Sequence, residues 1–150
     1  MADFITRLAM LEDVGQLANL FDQYRQFYEQ APNIALAKKF IGERMKNQES
    51  VILVAENAGE LIGFCQMYPT FCSVEALPIV VLYDLFVSQA ARKTGAGRAL
   101  MLAAQDYAKQ NGFVRLDLST AKTNVNAQAL YESLGWQRDE VFYHYSLTAN

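Results

Sequence analysis

Residues 78–98 read PIVVLYDLFVSQAARKTGAGR, and this stretch decides the fold. Residues 78–87 are almost all apolar, which is typical of a central strand covered on both faces, and Asp84 is the one charge among them. Residues 92–98 then hold two glycines and three basic side chains. An apolar stripe at helical spacing follows from Leu100 to Tyr107. The stretch therefore predicts a buried strand, a glycine-bearing loop and a helix.

Hydrophobic spacing predicts the elements on either side of this stretch. Before it, the pattern predicts a strand at residues 4–8, a helix from Glu12 with Val14, Leu17, Ala18 and Phe21 on one face, and a second helix bearing Ala37, Phe40, Ile41 and Met45. Strands are predicted at 50–56, 61–68 and 114–120. A helix at 124–134 and strands after Trp136 that include VFYHYSL complete the chain. We expect residues 69–76 to form a flexible bend. The order β-α-α-β-β-β-α-β-α-β-β predicts an α/β (α+β) fold, a mixed and mostly antiparallel sheet of about seven strands with helices on both faces.

Length and composition indicate one domain over residues 1–150. The chain is 52% hydrophobic and 19% charged, which excludes a disordered chain. A net charge of −3 lacks the basic excess typical of nucleic-acid binders. No signal peptide and no apolar run of about 18 residues is visible, so we expect a cytoplasmic protein off the membrane. Cys65, Cys72 and the single His144 cannot form a plausible zinc site, and we interpret the cysteines as free thiols.

The glycine-bearing loop favours an anion site. Gly95 and Gly97 allow positive φ angles that turn backbone N–H groups toward one point, and the following helix adds its positive end. Arg92, Lys93 and Arg98 add charge, so the loop suits a diphosphate. The spacing is neither a Walker A loop nor G-x-G-x-x-G. On spacing alone, a tight strand-to-helix turn is an equal alternative.

A second motif occupies residues 124–136, NVNAQALYESLGW. An ordinary helix explains it physically, because Ala127, Leu130, Tyr131 and Leu134 share one face and Gly135 caps the end. Taken alone, Tyr131 is more typical of a core than of a catalytic residue.

The two motifs together resemble the GNAT superfamily of acyl-CoA-dependent N-acyltransferases. Arg92-x-x-Gly95-x-Gly97 resembles its (Q/R)-x-x-G-x-(G/A) pyrophosphate loop, residues 124–136 resemble its second cofactor motif, and Asp84-Leu-Phe-Val falls where the family has the strand before the loop. The clear resemblance covers residues 80–136, and the first half matches in element order only.

The resemblance implies acetyl-CoA as co-substrate, no metal, an amine of a small molecule or peptide as acceptor, and a homodimer. It further implies that the backbone of Phe86 and Val87 pairs with the pantetheine arm. Asn124 would hydrogen-bond that arm, Ala127 would leave room for it, and Tyr131 would be the general acid. The residues implied to hold the diphosphate are Arg92, Lys93, Thr94, Gly95, Ala96, Gly97 and Arg98.

The general base is less well defined. The family often uses a carboxylate on the central strand, and Asp84 occupies that strand. However, Tyr83 stands where some polyamine-type relatives have Glu, and Asp84 is equally suited to accept a structural hydrogen bond.

The break after the first helix marks the acceptor side by resemblance. It offers Tyr24, Tyr28 and Glu29, with Tyr83 from the central strand, as substrate-binding candidates. We interpret Phe27 as a packing residue and His144 as a packed or edge residue rather than a base.

Two other functions compete with an N-acetyltransferase. One is a non-catalytic acyl-CoA-binding module that keeps the fold without turnover. The other is an unrelated α/β nucleotide-binding domain in which the glycine loop is coincidental.

Overall fold

The computed structural model describes residues 3–150, which form two compact units. The first ends at Ser119 and the second is Thr120–Asn150. The first unit contains β1 (Ile5–Leu8), α1 (Val14–Phe27), α2 (Ile34–Lys46), β2 (Val51–Asn57), β3 (Glu60–Cys72), β4 (Leu77–Val87), α3 (Ala96–Gln110) and β5 (Leu116–Asp117), with short 3-10 turns at Leu11–Asp13 and Gln89–Ala91. The second contains α4 (Val125–Ser133).

The five strands form one sheet in the order β1-β2-β3-β4-β5. The first four pair antiparallel, and β4 pairs parallel with β5. This arrangement confirms the predicted mixed and mostly antiparallel sheet. The helix α3 between β4 and β5 supplies the crossover that a parallel pair requires.

Helices cover both faces of this sheet, as predicted. On one face α1 and α2 share a core with the sheet, formed by Leu17, Leu20, Phe21, Ala37, Ile41, Ile52, Val54, Leu61, Phe64 and Phe86. On the other face α3 approaches β3 at Gly63, where a Cβ atom would lie 3.3 Å from Leu100 Cδ1 and 2.9 Å from the Phe86 carbonyl oxygen. A glycine is required there because the β4 backbone and a side chain of α3 both approach the β3 backbone closely.

Strand β4 contains a bulge at Tyr83. Gln66 of β3 pairs with Asp84 and the next residue, Met67, pairs with Leu82, so Tyr83 is an extra residue without a partner in β3. Side chains of consecutive residues in β3 point to opposite faces of the sheet, and each paired residue of β4 points to the same face as its partner. Asp84 and Leu82 therefore face opposite sides of the sheet, although residues two apart on a regular strand share a side.

Two predicted boundaries were wrong. Strand β3 continues through Cys72, opposite Leu77, so half of the predicted bend at 69–76 is paired strand and the turn occupies 73–76. Strand β5 is only Leu116–Asp117 instead of 114–120. The alternation of apolar and polar residues does not show where two neighbouring strands stop pairing.

The strands predicted after Trp136 were also wrong, because no described residue after α4 lies in a strand. The Asp139 carboxylate accepts hydrogen bonds from the N–H groups of Val141 and Phe142, at 3.3 and 3.0 Å, which removes donors that a ladder would use. The large apolar side chains of this run are exposed. A β-prone pattern forms a strand only where a neighbour pairs with it.

Candidate functional site

The loop between β4 and α3 has the geometry of an anion site. Gly95 lies immediately before α3 with a left-handed φ of 90°, while the Thr94 hydroxyl donates to the Ala91 carbonyl oxygen at 2.6 Å. The first N–H groups of a helix have no acceptor within it, so those of Ala96 and Gly97 are available for a ligand. The expectation of a positive φ is correct for Gly95, whereas Gly97 already lies in the first helical turn.

Arg92 links this loop to the end of β4. Its Nε donates to the Val87 carbonyl oxygen at 3.3 Å, and its guanidinium carbon lies 5.8 Å from the centre of the Phe86 ring. Three of the residues expected to meet acyl-CoA are therefore together. The side chains of Lys93 and Arg98 are exposed, which leaves the loop positively charged.

Beyond its pairing with β5, strand β4 has an open edge. Strand β5 pairs only with Val80 and Val81, and β4 continues to Val87. Among the described residues no strand covers this remaining edge. An extended ligand with amide groups can hydrogen-bond to such an edge as an added strand does.

Asp84 lies buried behind this edge in a chain of polar side chains. Gln66, fully buried, donates from Nε2 to Asp84 Oδ2 at 2.8 Å and accepts from the Ser50 hydroxyl at Oε1 at 2.7 Å. Burial raises the pKa of Asp84, while hydrogen bonds from Gln66 and Tyr24 act in the opposite direction. A carboxyl group with a raised pKa is well matched to proton transfer near neutral pH.

Sequence reasoning missed Gln66 and Ser50. Gln66 interrupts the apolar run of β3 as Asp84 interrupts that of β4, and the shared interruption is the signal that could have paired them. The register that places these two residues opposite one another depends on the bulge, which the sequence pattern does not reveal.

Tyr83 precedes Asp84 in the chain, the charge of Asp84 acts on Tyr24 and Tyr68, and the Tyr28 ring packs against that of Tyr24. We call Tyr24, Tyr28, Tyr68 and Tyr83 the tyrosine cluster. The Tyr24 hydroxyl donates to the Tyr83 carbonyl oxygen at 3.4 Å, and burial followed by the Asp84 charge raises the pKa of Tyr24. The same two causes, in the same order, raise the pKa of Tyr68 to about 12. The sequence analysis named three of the four as substrate-binding candidates, and it did not name Tyr68.

One other expectation about the acceptor side differs from the structure. Phe27 is 57% exposed, so its interpretation as a packing residue was wrong. Glu29 is exposed and has a left-handed φ of 65° just after α1.

The second unit holds the other motif. The Asn124 side-chain oxygen caps α4 by accepting from the Ala127 N–H at 3.2 Å. The Tyr131 ring is half-buried with its centre 6.2 Å from that of Trp136. His144 is exposed and outside any strand, with Nε2 3.3 Å from the Ser146 hydroxyl oxygen, so its interpretation as a packed or edge residue was wrong.

Residues 3–150 contain no group of three or more His, Cys, Asp or Glu side chains suited to a metal ion. Cys65 is buried, Cys72 is half-buried, and both are free thiols. None of the helices in the described part of the chain is long and apolar enough to cross a membrane.

Comparison with known proteins identifies the family. The profile of the acetyltransferase (GNAT) family matches residues 16–136. An uncharacterised N-acetyltransferase of Bacillus subtilis, YhfO, is 50% identical over 141 residues, which is 94% of this chain and 95% of that protein. A probable acetyltransferase of Haemophilus influenzae is 31% identical, over 83% of this chain and 84% of that protein. The crystal structure of a probable acetyltransferase superposes with a TM-score of 0.91 at 35% identity, over 97% of this chain and 98% of that one. The chain belongs to the GNAT family of acetyltransferases.

Proposed function

We propose that the protein transfers the acetyl group of acetyl-CoA to a primary amine of a small molecule or peptide. One observation supports this most directly. Strand β4 carries a buried carboxyl group at Asp84, has an open edge up to Val87, and leads into the Gly95 loop at the start of α3. A binding surface for an extended acyl-CoA and a group able to take a proton thus belong to one continuous segment.

The loop and strand fit acyl-CoA by their chemistry. N–H groups of Ala96 and Gly97, with the charges of Lys93 and Arg98, suit the diphosphate. The open edge at Phe86 and Val87 suits the amides of the pantetheine arm, and Arg92 would have to exchange its bond with the Val87 carbonyl oxygen for one with the ligand. In the second unit, Asn124 and Ala127 are assigned to the same arm from their motif.

Acetyl-CoA supplies an activated acyl group as a thioester. In the proposed reaction the neutral amine nitrogen bonds to the acyl carbon, and the carbon–sulfur bond breaks. Asp84 takes the proton that the nitrogen loses and returns it to solvent after the transfer. The Tyr131 hydroxyl gives a proton to the departing sulfur and recovers one from solvent. The products are the N-acetyl amide and the free thiol of CoA.

The buried environment of Asp84 supports its role as base. Because burial disfavours the ionised form, the carboxylate gains more from accepting a proton than an exposed one does. Tyr24, Tyr28, Glu29 and Tyr83 are assigned to the acceptor. The role of Tyr131 rests on its motif, and the single domain, homodimer and cytoplasmic location stay predictions.

The hydrogen bonds of Asp84 also favour a second candidate, an acyl-CoA-binding module without turnover. In that case the Ser50–Gln66–Asp84 chain serves only to satisfy buried polar groups. Incubation with acetyl-CoA and a panel of primary amines separates the two, with CoA thiol release and amide mass as readouts. Thiol release that depends on the amine supports the enzyme. A CoA-induced rise in Tm without turnover supports the binding module.

A further inference from the structure

The tyrosine cluster consists of two pairs of rings beside one buried carboxyl group. The rings of Tyr24 and Tyr28 meet edge to face with centres 5.2 Å apart, and those of Tyr68 and Tyr83 do so at 5.7 Å. The hydrogen bond from Tyr24 to the Tyr83 backbone joins the two pairs. Tyr83 is 67% exposed, Tyr28 46% and Asp84 5%, so the surface leads from solvent down to the carboxyl group.

The charges around this surface are asymmetric. Asp84 is the carboxyl group whose charge acts on both Tyr24 and Tyr68. Arg44, which lies close enough to influence Tyr68, is engaged by Glu43 and Glu49 at 3.4 and 3.1 Å. The surface therefore offers one buried negative charge and aromatic faces, while the carboxyl groups of Glu29 and Glu49 are exposed.

An amine that fits this surface has defined chemistry. One ammonium group matches one buried carboxyl group and gains from nearby aromatic faces. The rest of the amine would contact the tyrosine rings, so an aromatic or other apolar group would pack there. A carboxylate on the carbon that bears the nitrogen would be brought beside Asp84, where like charges repel.

Resting on the proposed function, we infer that the acceptor is a small monoamine that carries an aromatic group near its nitrogen and has no adjacent carboxylate. Amino acids, which bear that carboxylate, and polyamines, which lack the aromatic group, are excluded from this class. Tyr83 determines the selectivity, because the bulge leaves it without a partner in β3 and its ring is exposed next to the buried Asp84.

Four amines test this substrate class with acetyl-CoA as donor. Phenethylamine represents the class, L-phenylalanine adds only the carboxylate, ethanolamine removes the ring, and spermidine adds charges. We expect kcat/KM for phenethylamine to exceed that of each of the others by about tenfold or more, the scale of discrimination that a single substituent gives.

Variants at the cluster supply a second readout. Tyr83→Ala should raise KM for phenethylamine by about tenfold and leave that for ethanolamine within about twofold, whereas Tyr83→Phe keeps the ring and the wild-type values. Phe71→Ala is the matched control, because Phe71 is an exposed aromatic residue of β3 on the opposite face from Tyr68.

Other outcomes distinguish the two proposals. A preference for spermidine or L-phenylalanine overturns the substrate class and leaves the acetyltransferase proposal standing. Equal KM values in wild type and Tyr83→Ala overturn the role of Tyr83. An absence of thiol release with all four amines, in protein that gains stability from CoA, overturns both proposals.

Discussion

Gln66 and Asp84 occupy opposite positions on β3 and β4, and the amide Nε2 of one donates to the carboxylate Oδ2 of the other at 2.8 Å. Ser50 donates to the amide oxygen of Gln66 and so orients the Gln66 amide with its nitrogen toward Asp84. The carboxyl group is thereby held in one orientation inside a buried environment. Proton transfer requires such fixed geometry.

Asp84→Asn should lower kcat by about 10²–10⁴-fold if Asp84 is the base. The same change should raise Tm at pH 7. Burial raises the folded-state pKa of Asp84, so the folded protein loses stability as pH rises from the unfolded-state value through the folded-state value. Asn carries no charge and avoids that loss.

Kinetics and thermal unfolding of the same sample check both effects. The difference in Tm should shrink toward pH 3, where the carboxyl group is protonated in both states. Wild-type kcat in this variant would exclude Asp84 as the base.

Gln66→Leu should move the acid limb of the kcat/KM profile to higher pH. The substitution removes a donor that favours the ionised carboxylate, so the pKa of Asp84 rises further. Ser50→Ala should shift the limb less, because Gln66 still donates but its amide is no longer oriented. A profile that keeps its acid limb in Gln66→Leu, with activity retained, would mean that Gln66 does not act through Asp84.

Asp13→Asn should destabilise the protein at pH 7. Asp13 accepts from both Arg7 nitrogens at 2.8 and 2.9 Å and from the Met10 N–H at 2.7 Å. The hydrogen bond from Arg7 lowers the pKa of Asp13, so its contribution is present above the unfolded-state pKa and is lost as pH falls through the folded-state one. We expect a loss of about 1.5–3 kcal/mol at pH 7, as is typical for hydrogen bonds to a charged group.

Unfolding at several pH values checks this, and the difference from wild type should shrink as pH falls from the unfolded-state pKa through the lowered folded-state pKa of Asp13. Glu140→Gln is the control, because the pair of Arg138 and Glu140 is exposed and such pairs contribute little. A constant difference at all pH values would show that packing rather than charge is responsible.

Gly97→Val should weaken CoA binding more than it lowers Tm. Gly97 lies in the first turn of α3, where a branched side chain would obstruct the diphosphate while the helical backbone is retained. Gly15→Val is the matched control in the first turn of α1, where an added Cβ has no neighbour within 4 Å. Calorimetric titration measures the CoA affinity of both variants. Equal affinities would mean that the loop is only a structural turn and does not bind the diphosphate.

Tyr131→Phe should keep the fold and lower kcat by about 10²–10⁴-fold. The ring adjoining Trp136 is retained and only the hydroxyl is lost. Both kcat and kcat/KM should fall together, because proton donation to sulfur acts in the transition state. A raised KM for acetyl-CoA with unchanged kcat would instead assign the hydroxyl to binding.

Much of the first unit could be predicted from sequence. Apolar spacing located its three helices and the long strands, and the glycine motif indicated the β4–α3 loop. Residue pairs across strands could not be predicted, because the bulge at Tyr83 decides which side chain meets Gln66. The run after Trp136 failed for a related reason. Its pattern suits a strand, but the Asp139 carboxylate competes locally for its N–H groups.

The bulge also bears on how selectivity can evolve. Leu82 and Asp84 are each committed to one side of the sheet by their partners in β3, and changing either disturbs the interior. Tyr83 has no such partner and is exposed, so its side chain can vary without repacking the sheet. We therefore expect single-residue exchanges at this position to alter the preferred amine while stability is kept, which makes it the most permissive place near Asp84 for new specificity to arise.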